Sequence, residues 1–309
     1  MPYIKQLTLS LLLLFSINSL NAEEKKAEKP TDKVEEKKER PIDISADTSE
    51  YLEAEKKILF EGNVYVEDKV LKLSCEKLIV ELDDKKEIVK IICDEDVHIR
   101  KVTKTEKVES NSDHAVYYVL QEKVVLTGDP ILKNGKETLR SDVITFYRKN
   151  NHIKTGRMSF VSKAASSTTL KTNKRRPVQI NADSAEYVDK KQKVIFRGNV
   201  EVNDEGVFLN CDQLTVYLNE KKELKKIVAR KNVVIKKQVE QETWVSHSDR
   251  ATYYLIQDKI ALSGNPTLKT GQDTLKSDNI TFFRNSKKIV TGRVNIHSKG
   301  ARPDAKKPK

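Results

Sequence analysis

Eight acidic residues each follow a small residue along the chain, and they are the first candidates for chemistry. Carboxylates bind a metal ion or transfer protons when several of them converge on one point. Within each half of the chain, these acids are spaced by about 29 and about 37 residues, which separates them along a repeating structure. We therefore predict a structural role for them and no metal site. The eight pairs are Ala46-Asp47, Cys75-Glu76, Ser112-Asp113, Ser141-Asp142, Ala182-Asp183, Cys211-Asp212, Ser248-Asp249 and Ser277-Asp278.

The five histidines give no better candidate for a catalytic or metal site. The two halves of the chain are similar in sequence, so a shared site would place the same residue in both. His114 instead aligns with Arg250, and His247 aligns with Asn111. The sequence has no nucleotide-binding motif. We therefore expect no enzyme activity, no catalytic residue and no cofactor.

The three cysteines allow two interpretations. Cys75 and Cys211 stand at equivalent positions of the two halves, whereas Cys93 aligns with Ala229. No closely spaced pair of the kind that binds zinc occurs. A Cys75–Cys93 disulfide would suit an exported protein, and small apolar residues within strands would suit the same positions. The sequence leaves both interpretations open.

The segment from Pro41 to Phe160 recurs from Pro177 to Ile296 without insertion or deletion. About 53 of the 120 aligned positions are identical, which indicates two copies of one folded module. Each module repeats within itself at an offset of about 66 residues, so the chain contains four related units. The predicted segments are a signal peptide at 1–22, a disordered charged linker at 23–40, a first module at 41–161, a basic flexible linker at 162–176, a second module at 177–298 and a basic tail at 299–309.

Apolar and polar residues alternate along most of both modules, as they do at Val194, Phe196, Val200 and Val202. Period two over many short segments predicts half-buried antiparallel strands. The parity slips at each small–acid pair, as it does when a β-bulge adds one residue and bends a strand. Glycine corners such as Gly62-Asn63 provide further bends. We therefore predict an all-β fold of two tandem antiparallel β-jellyroll modules, each an elongated open sandwich with an apolar interior.

The first 22 residues have the order of features typical of a secretory signal peptide. Lys5 provides the positive start, Leu7–Ile17 the apolar core, and Leu20-Asn21-Ala22 precedes the charged stretch. Leu at the third position before the cleavage point is less usual than Ala, so an uncleaved anchor stays an alternative. We predict an exported, soluble mature chain.

Basic residues concentrate in the linker and the tail, and the chain has a net charge of +12. Such clusters suggest an anionic partner, either nucleic acid or anionic lipid, although they could also be merely solubilising. Nucleic-acid binding would require aromatic residues interleaved with the basic ones, and both clusters lack them. We therefore expect no nucleic acid as a partner.

The order of motifs in both modules resembles the OstA-like (LptA) family. The resemblance covers residues 41–161 and 177–297. The motifs are A-D-x-x-E-Y, F-x-G-N-V-x-V, C/S-D-x-L-x-V, G-x-P and T-G-R. They stand at Ala46–Tyr51, Phe60–Val66, Cys75–Val80, Gly128–Pro130 and Thr155–Arg157, and again at their partners in the second module.

The resemblance implies a periplasmic β-jellyroll that carries lipopolysaccharide between the inner and outer membranes, with the acyl chains of lipid A in its interior. It also implies head-to-tail contact through strand edges with LptC-like inner-membrane and LptD-like outer-membrane proteins, and self-association. A typical member has one module, whereas this chain has two. Covalent tethering would replace one step of self-association.

We expect the inner apolar positions to line a lipid-binding trough, although a closed core is the alternative for each. The predicted lining residues are Phe60, Val64, Val66, Leu78, Val80, Phe146, Phe196, Val200, Val202, Leu214, Val216 and Phe282. Arg157 and Arg293 are candidate phosphate contacts, with solvated strand-end charges as the alternative. The competing function is that of a non-lipid structural or adhesive exported β-repeat protein, which would not take up lipopolysaccharide.

Overall fold

The structure is a computed structural model. It describes residues 43–67, 71–102, 107–134, 137–150, 152–162, 178–204, 207–219, 224–239, 242–254, 256–257, 259–283 and 288–298. The predicted signal peptide, charged linker and basic tail lie outside these residues, as does the basic linker apart from Ser162.

The described residues of both repeats form antiparallel strands. The strands of the first repeat are β1 (Asp43–Ser45), β2 (Thr48–Leu52), β3 (Lys57–Glu67), β4 (Leu71–Leu82), β5 (Ile88–Val102), β6 (Lys107–Tyr118), β7 (Lys123–Thr127), β8 (Ile131–Asn134), β9 (Glu137–Ser141), β10 (Val143–Tyr147), β11 (His152–Thr155) and β12 (Met158–Ser162).

The second repeat gives the same series of strands. They are β13 (Val178–Ala182), β14 (Ser184–Val188), β15 (Lys193–Asp204), β16 (Val207–Leu218), β17 (Leu224–Val239), β18 (Glu242–Tyr254), β19 (Lys259–Ser263), β20 (Thr267–Thr270), β21 (Asp273–Ser277), β22 (Asn279–Phe283), β23 (Lys288–Thr291) and β24 (Val294–His297). Within the described ranges, three short 3₁₀ turns occur at Glu53–Glu55, Arg148–Asn150 and Asp189–Lys191. None of the helices among the described residues is long and apolar enough to cross a membrane.

The long strands of each repeat are shared between two sheets. β3 to β6 form consecutive antiparallel hairpins. β6 then pairs with β8 through Val108–Asn111 and with β7 through His114–Tyr118. β7 continues through β10 to β11, and β8 continues through β9 to β12. The second repeat follows the same order, so the predicted all-β fold of two antiparallel jellyroll modules is confirmed.

The chain divides into two compact units. Among the described residues, the first unit contains 43–162 together with Glu186–Lys191, and the second contains 178–185 and 192–298. Glu186–Lys191 thus belong to the first unit although their sequence belongs to the second repeat.

The core of the second unit is built from apolar side chains that lie opposite one another on neighbouring strands. Alternation along each strand directs every second side chain to the same face. One such row crosses six strands, and each of its residues is at most 5% exposed. The row consists of Phe196, Leu214, Ala229, Ala251, Leu262 and Ile280.

The strands bend at corners that join an aspartate to a Gly-Asn pair on the neighbouring strand. Gly198 and Asn199 both have positive φ, at 75° and 45°, and the pairing register of β15 shifts between Arg197 and Val200. The Asp183 N–H donates to the Gly198 carbonyl at 3.0 Å. The Asn199 side-chain amide donates to Asp183 Oδ2 at 2.8 Å. The carboxylate of Asp183 therefore accepts a side-chain amide at this corner.

Two further corners contain no glycine, which is the residue by which the sequence pattern identifies the other corners of this kind. Glu95-Asp96 on β5 have φ of 63° and 53°, and Lys231-Asn232 on β17 have φ of 63° and 51°. The register shifts at both places. The location of a bend is therefore determined by the bends of the neighbouring strands. Glycine lowers the conformational free-energy cost of the bend where the partner aspartate approaches most closely.

Replacing Gly198 by alanine is expected to destabilise the second unit by about 2–4 kcal/mol. The positive φ disfavours a side chain, and a Cβ at this position would overlap the carboxylate of Asp183. Urea unfolding of the intact chain measures the effect. Gly271→Ala is the control, because its φ is also positive while its nearest neighbour is the flexible end of Glu242, 2.9 Å away. Equal losses for the two variants would contradict the corner contact.

Candidate functional site

The structure divides the twelve residues predicted to line a trough according to burial. Eight are buried, namely Val64, Leu78, Val80, Phe146, Phe196, Val200, Leu214 and Val216. Four are half-buried, namely Phe60, Val66, Val202 and Phe282. The half-buried group is the part of the set that a ligand could reach without displacing packed side chains.

Strand register brings the predicted residues together within each unit. Phe60 lies opposite Leu78, and Phe196 lies opposite Leu214. In the first unit, Val80 and Phe146 belong to a common row across seven strands. This row consists of Ile58, Val80, Ile91, Tyr117, Val124, Phe146 and Ile153. The predicted side chains therefore share one inner face and do not form separate sites.

Beyond the corner, a second row contains residues that the sequence reasoning missed. It runs through Val66, Leu73, Ile99, Ser110, Leu132, Leu139 and Phe160. Counting two residues at a time from each small–acid corner would have found Leu139, which is two residues before Ser141. Ser110 is a polar interruption at 6% exposure, and its hydroxyl has no hydrogen-bond partner among the described residues. Such a group costs about 1–3 kcal/mol unless a bound molecule satisfies it.

The last strands of the two repeats differ strongly in exposure. Ile153 and Phe160 in the first unit are 1% and 0% exposed, whereas their repeat partners Ile289 and Ile296 are 39% and 63% exposed. The first unit includes Glu186, whose Oε1 lies 2.9 Å from His152 Nε2. Ile44 of β1, the first described strand, is 44% exposed. The chain therefore presents apolar side chains on β1 and on the strands β23 and β24.

Arg157 and Arg293 stand at corners, with exposed side chains. The Asp142 N–H donates to the Arg157 carbonyl at 3.2 Å, and the Asp278 N–H donates to the Arg293 carbonyl at 3.3 Å. The backbone of each arginine thus closes a corner, while its side chain is exposed. Their proposed contact with phosphate stays a prediction.

The histidines with printed contacts pair with single carboxylates, whereas Glu109 is 3.1 Å from Arg100 Nε and 3.0 Å from Lys107 Nζ on the surface. His114 Nδ1 contacts Asp94 Oδ1, and His98 Nε2 lies 3.1 Å from Asp96 Oδ1. Within the part of the chain that the structure describes, no group of three or more His, Cys, Asp or Glu could hold a metal ion. The corner acids lie at separate bends, in keeping with their predicted structural role.

All three cysteines are free and buried. The Cys75 thiol donates to the Lys77 carbonyl at 3.2 Å. A hydrogen bond with Cys75, together with burial, raises the pKa of the Cys93 thiol. Burial raises the pKa of Cys211 to about 12. Cys93 and Cys211 are therefore protonated near neutral pH and pack as small apolar residues.

A protein-family model matches both repeats of the chain. The family model described as LptA/(LptD N-terminal domain) LPS transport protein matches residues 43–152 and again residues 179–288. No curated protein sequence matches the chain. Among solved structures, the chain is similar to LptH from Pseudomonas aeruginosa, described as the LptA-homologous periplasmic component of a lipopolysaccharide transport device. The sequence identity is 16%, the TM-score is 0.37, and the match covers 40% of this chain and 96% of that chain.

The difference in burial between Phe60 and Phe196 predicts unequal effects of truncation at these equivalent positions. Phe196→Ala is expected to cost about 3–5 kcal/mol of folding free energy, because the side chain is fully buried. Phe60→Ala is expected to cost about 1–2 kcal/mol, because part of the ring is already exposed. Urea titrations of the two variants measure these losses. Losses of similar size at both positions would contradict the assignment of Phe60 to a ligand-accessible surface.

Proposed function

The chain belongs to the LptA and LptD N-terminal-domain family of lipopolysaccharide transport proteins, and on this premise we propose that its jellyroll units shelter the acyl chains of lipid A during transport. The periplasm is the proposed site of action, in keeping with the signal peptide predicted from residues 1–22. We propose no catalytic step.

The observation that carries this proposal is the apolar inner face that runs across seven strands of the first unit and recurs in the second. Burying a methylene group recovers about 0.8 kcal/mol, so about twelve methylenes recover roughly 10 kcal/mol. The proposed entrance is formed by Phe60 and Val66 in the first unit and by Val202 and Phe282 in the second, because these side chains are half-buried. The buried lining residues would be reached only when the two sheets separate.

Two kinds of polar group would assist binding. Ser110 offers a hydroxyl without a partner on the inner face, which suits an ester, amide or hydroxyl oxygen near the start of an acyl chain. Arg157 and Arg293 have exposed side chains, which suits contact with lipid phosphates. The direction of transport would come from another component of the transport system.

The proposed partners are similar domains of LptC-like and LptD-like proteins and further copies of this chain. Ile44 on the first described strand, and Val294 and Ile296 on the last, are exposed apolar residues. Exposed strand edges pair readily with other strands. Head-to-tail pairing through these edges would extend the apolar face from one domain to the next and bridge the two membranes.

Photo-crosslinking tests the lining assignment. A photoreactive residue at Val66 or Val202 is expected to form adducts with acyl chains when the protein is isolated from cells that make lipopolysaccharide. Tyr65 and Glu201 serve as controls, because each adjoins a test residue and is exposed on the opposite side of its strand. Mass spectrometry identifies the adducts. Adducts at the control positions alone would refute the assignment, and the absence of lipid at every position would favour a structural or adhesive protein.

A charge on the exposed face of β24 is expected to weaken head-to-tail association. Ile296→Glu buries a carboxylate if this face is covered by a second copy, and at least a tenfold loss in association is expected, equivalent to about 1.4 kcal/mol. Asn295→Glu is the control, because it adds the same charge to the adjacent residue on the other face. Sedimentation over a range of concentrations measures association. Equal association of both variants, or a wild-type chain that stays monomeric, would count against the proposed edge.

A further inference from the structure

Lysine and aromatic side chains alternate in a row across the outer rim of the second unit. Each residue of the row lies opposite the next on a neighbouring antiparallel strand. We call this set the Lys–aromatic row. It consists of Tyr217, Lys226, Tyr254, Lys259, Phe283 and Lys288.

The row lies on the side of the sheet opposite the apolar interior. Val216 and Tyr253 each precede a row residue in the chain, and they are 2% and 8% exposed. Tyr254 itself is 36% exposed, and Lys288 is exposed as well. All six residues stand at or near strand ends, so the row borders the turns that form one rim of the unit.

The geometry of the row combines partly accessible positive charge with aromatic faces, because Lys226 and Lys259 are half-buried. Lys226 Nζ lies 4.7 Å from the ring centroid of Tyr217, and Lys259 Nζ lies 5.2 Å from that of Tyr254. Neither lysine forms an ion pair with a carboxylate of the described residues. Lysines on alternate strands are roughly 10 Å apart. The rim therefore offers cations at regular intervals with an aromatic ring between them.

The corresponding row of the first unit is different in charge. Glu81 replaces Tyr217 and lies 3.4 Å from Lys90 Nζ, the partner of Lys226. His152 replaces Lys288 and contacts Glu186. These two acids neutralise part of the positive charge, so the uninterrupted row belongs to the second unit.

We propose that the Lys–aromatic row of the second unit binds the phosphorylated saccharide head of a glycolipid whose acyl chains occupy the apolar interior. The negative face of a tyrosine ring attracts the polarised C–H groups of a sugar ring, and a lysine ammonium attracts a phosphate. A saccharide that carries phosphates can use both groups at once. This inference rests on the proposed function, because the acyl chains inside place the head group at the rim.

The probe is a bisphosphorylated glucosamine disaccharide without acyl chains, titrated calorimetrically into the full chain. Lys226→Gln with Lys259→Gln, and separately Tyr254→Ala, are each expected to weaken binding about tenfold or more. Tyr217→Glu, which introduces the acid of the first unit, is expected to do the same. Lys236→Gln with Lys237→Gln is the matched control, because both lysines are exposed on β17 outside the row, and binding should stay unchanged.

Three further titrations distinguish which chemical groups of the ligand account for its binding. Equal affinity for the unphosphorylated disaccharide would overturn the role of the lysines, and equal affinity for inorganic phosphate would overturn that of the aromatic rings. Tighter binding of a thymidine oligonucleotide, or no binding of the disaccharide, would overturn the proposal. The acyl-chain adduct at Val202 is scored in the same variants. Its presence without disaccharide binding leaves the proposed function intact, whereas the absence of acyl-chain adducts at both Val202 and Val66 in the chain without rim substitutions counts against the proposed function itself.

Discussion

At the Gly-Asn corners, a glycine carbonyl accepts the N–H of an aspartate, and the carboxylate of that aspartate occupies the space where a glycine side chain would stand. This contact stabilises the bend at these corners. Because adjacent strands have their corners next to one another, the long strands of a unit bend together. The same strands can then form two facing sheets, and the core, the rim and the exposed edges all follow from that geometry.

The bend also determines what the interior can recognise. Side chains of one parity face inward on both sides of the corner, so the inner face is apolar over most of its length. Hydrophobic burial is non-directional and does not select among acyl chains. Selectivity for one glycolipid must therefore come from polar groups at the margins. Ser110 on the inner face and the Lys–aromatic row on the rim are groups of this kind.

The sequence alone predicted the structural features that recur along the chain. It did not predict the features that depend on contacts with neighbouring strands. Alternation and the small–acid pairs predicted the strands and most corners. The corner at Lys231-Asn232 was missed because its left-handed residues are not glycines. The exposure of Ile289 could not be predicted from its partner Ile153. The two occupy equivalent positions, but burial depends on which other strands cover them.

The two repeats have similar backbone geometry at the corners where their strands bend. They differ in the side chains on their outer surfaces. The Gly-Asn pair at Gly62 and that at Gly198 have nearly identical φ values, whereas Glu81 and Tyr217 give the two rims different charge. A substitution at a corner disturbs both sheets, while one on the rim changes only local contacts. We therefore expect substitutions on the outer surface to cost less stability than substitutions at the corners. If the units differ in function, the difference should lie in their outer contacts, with the apolar interior common to both.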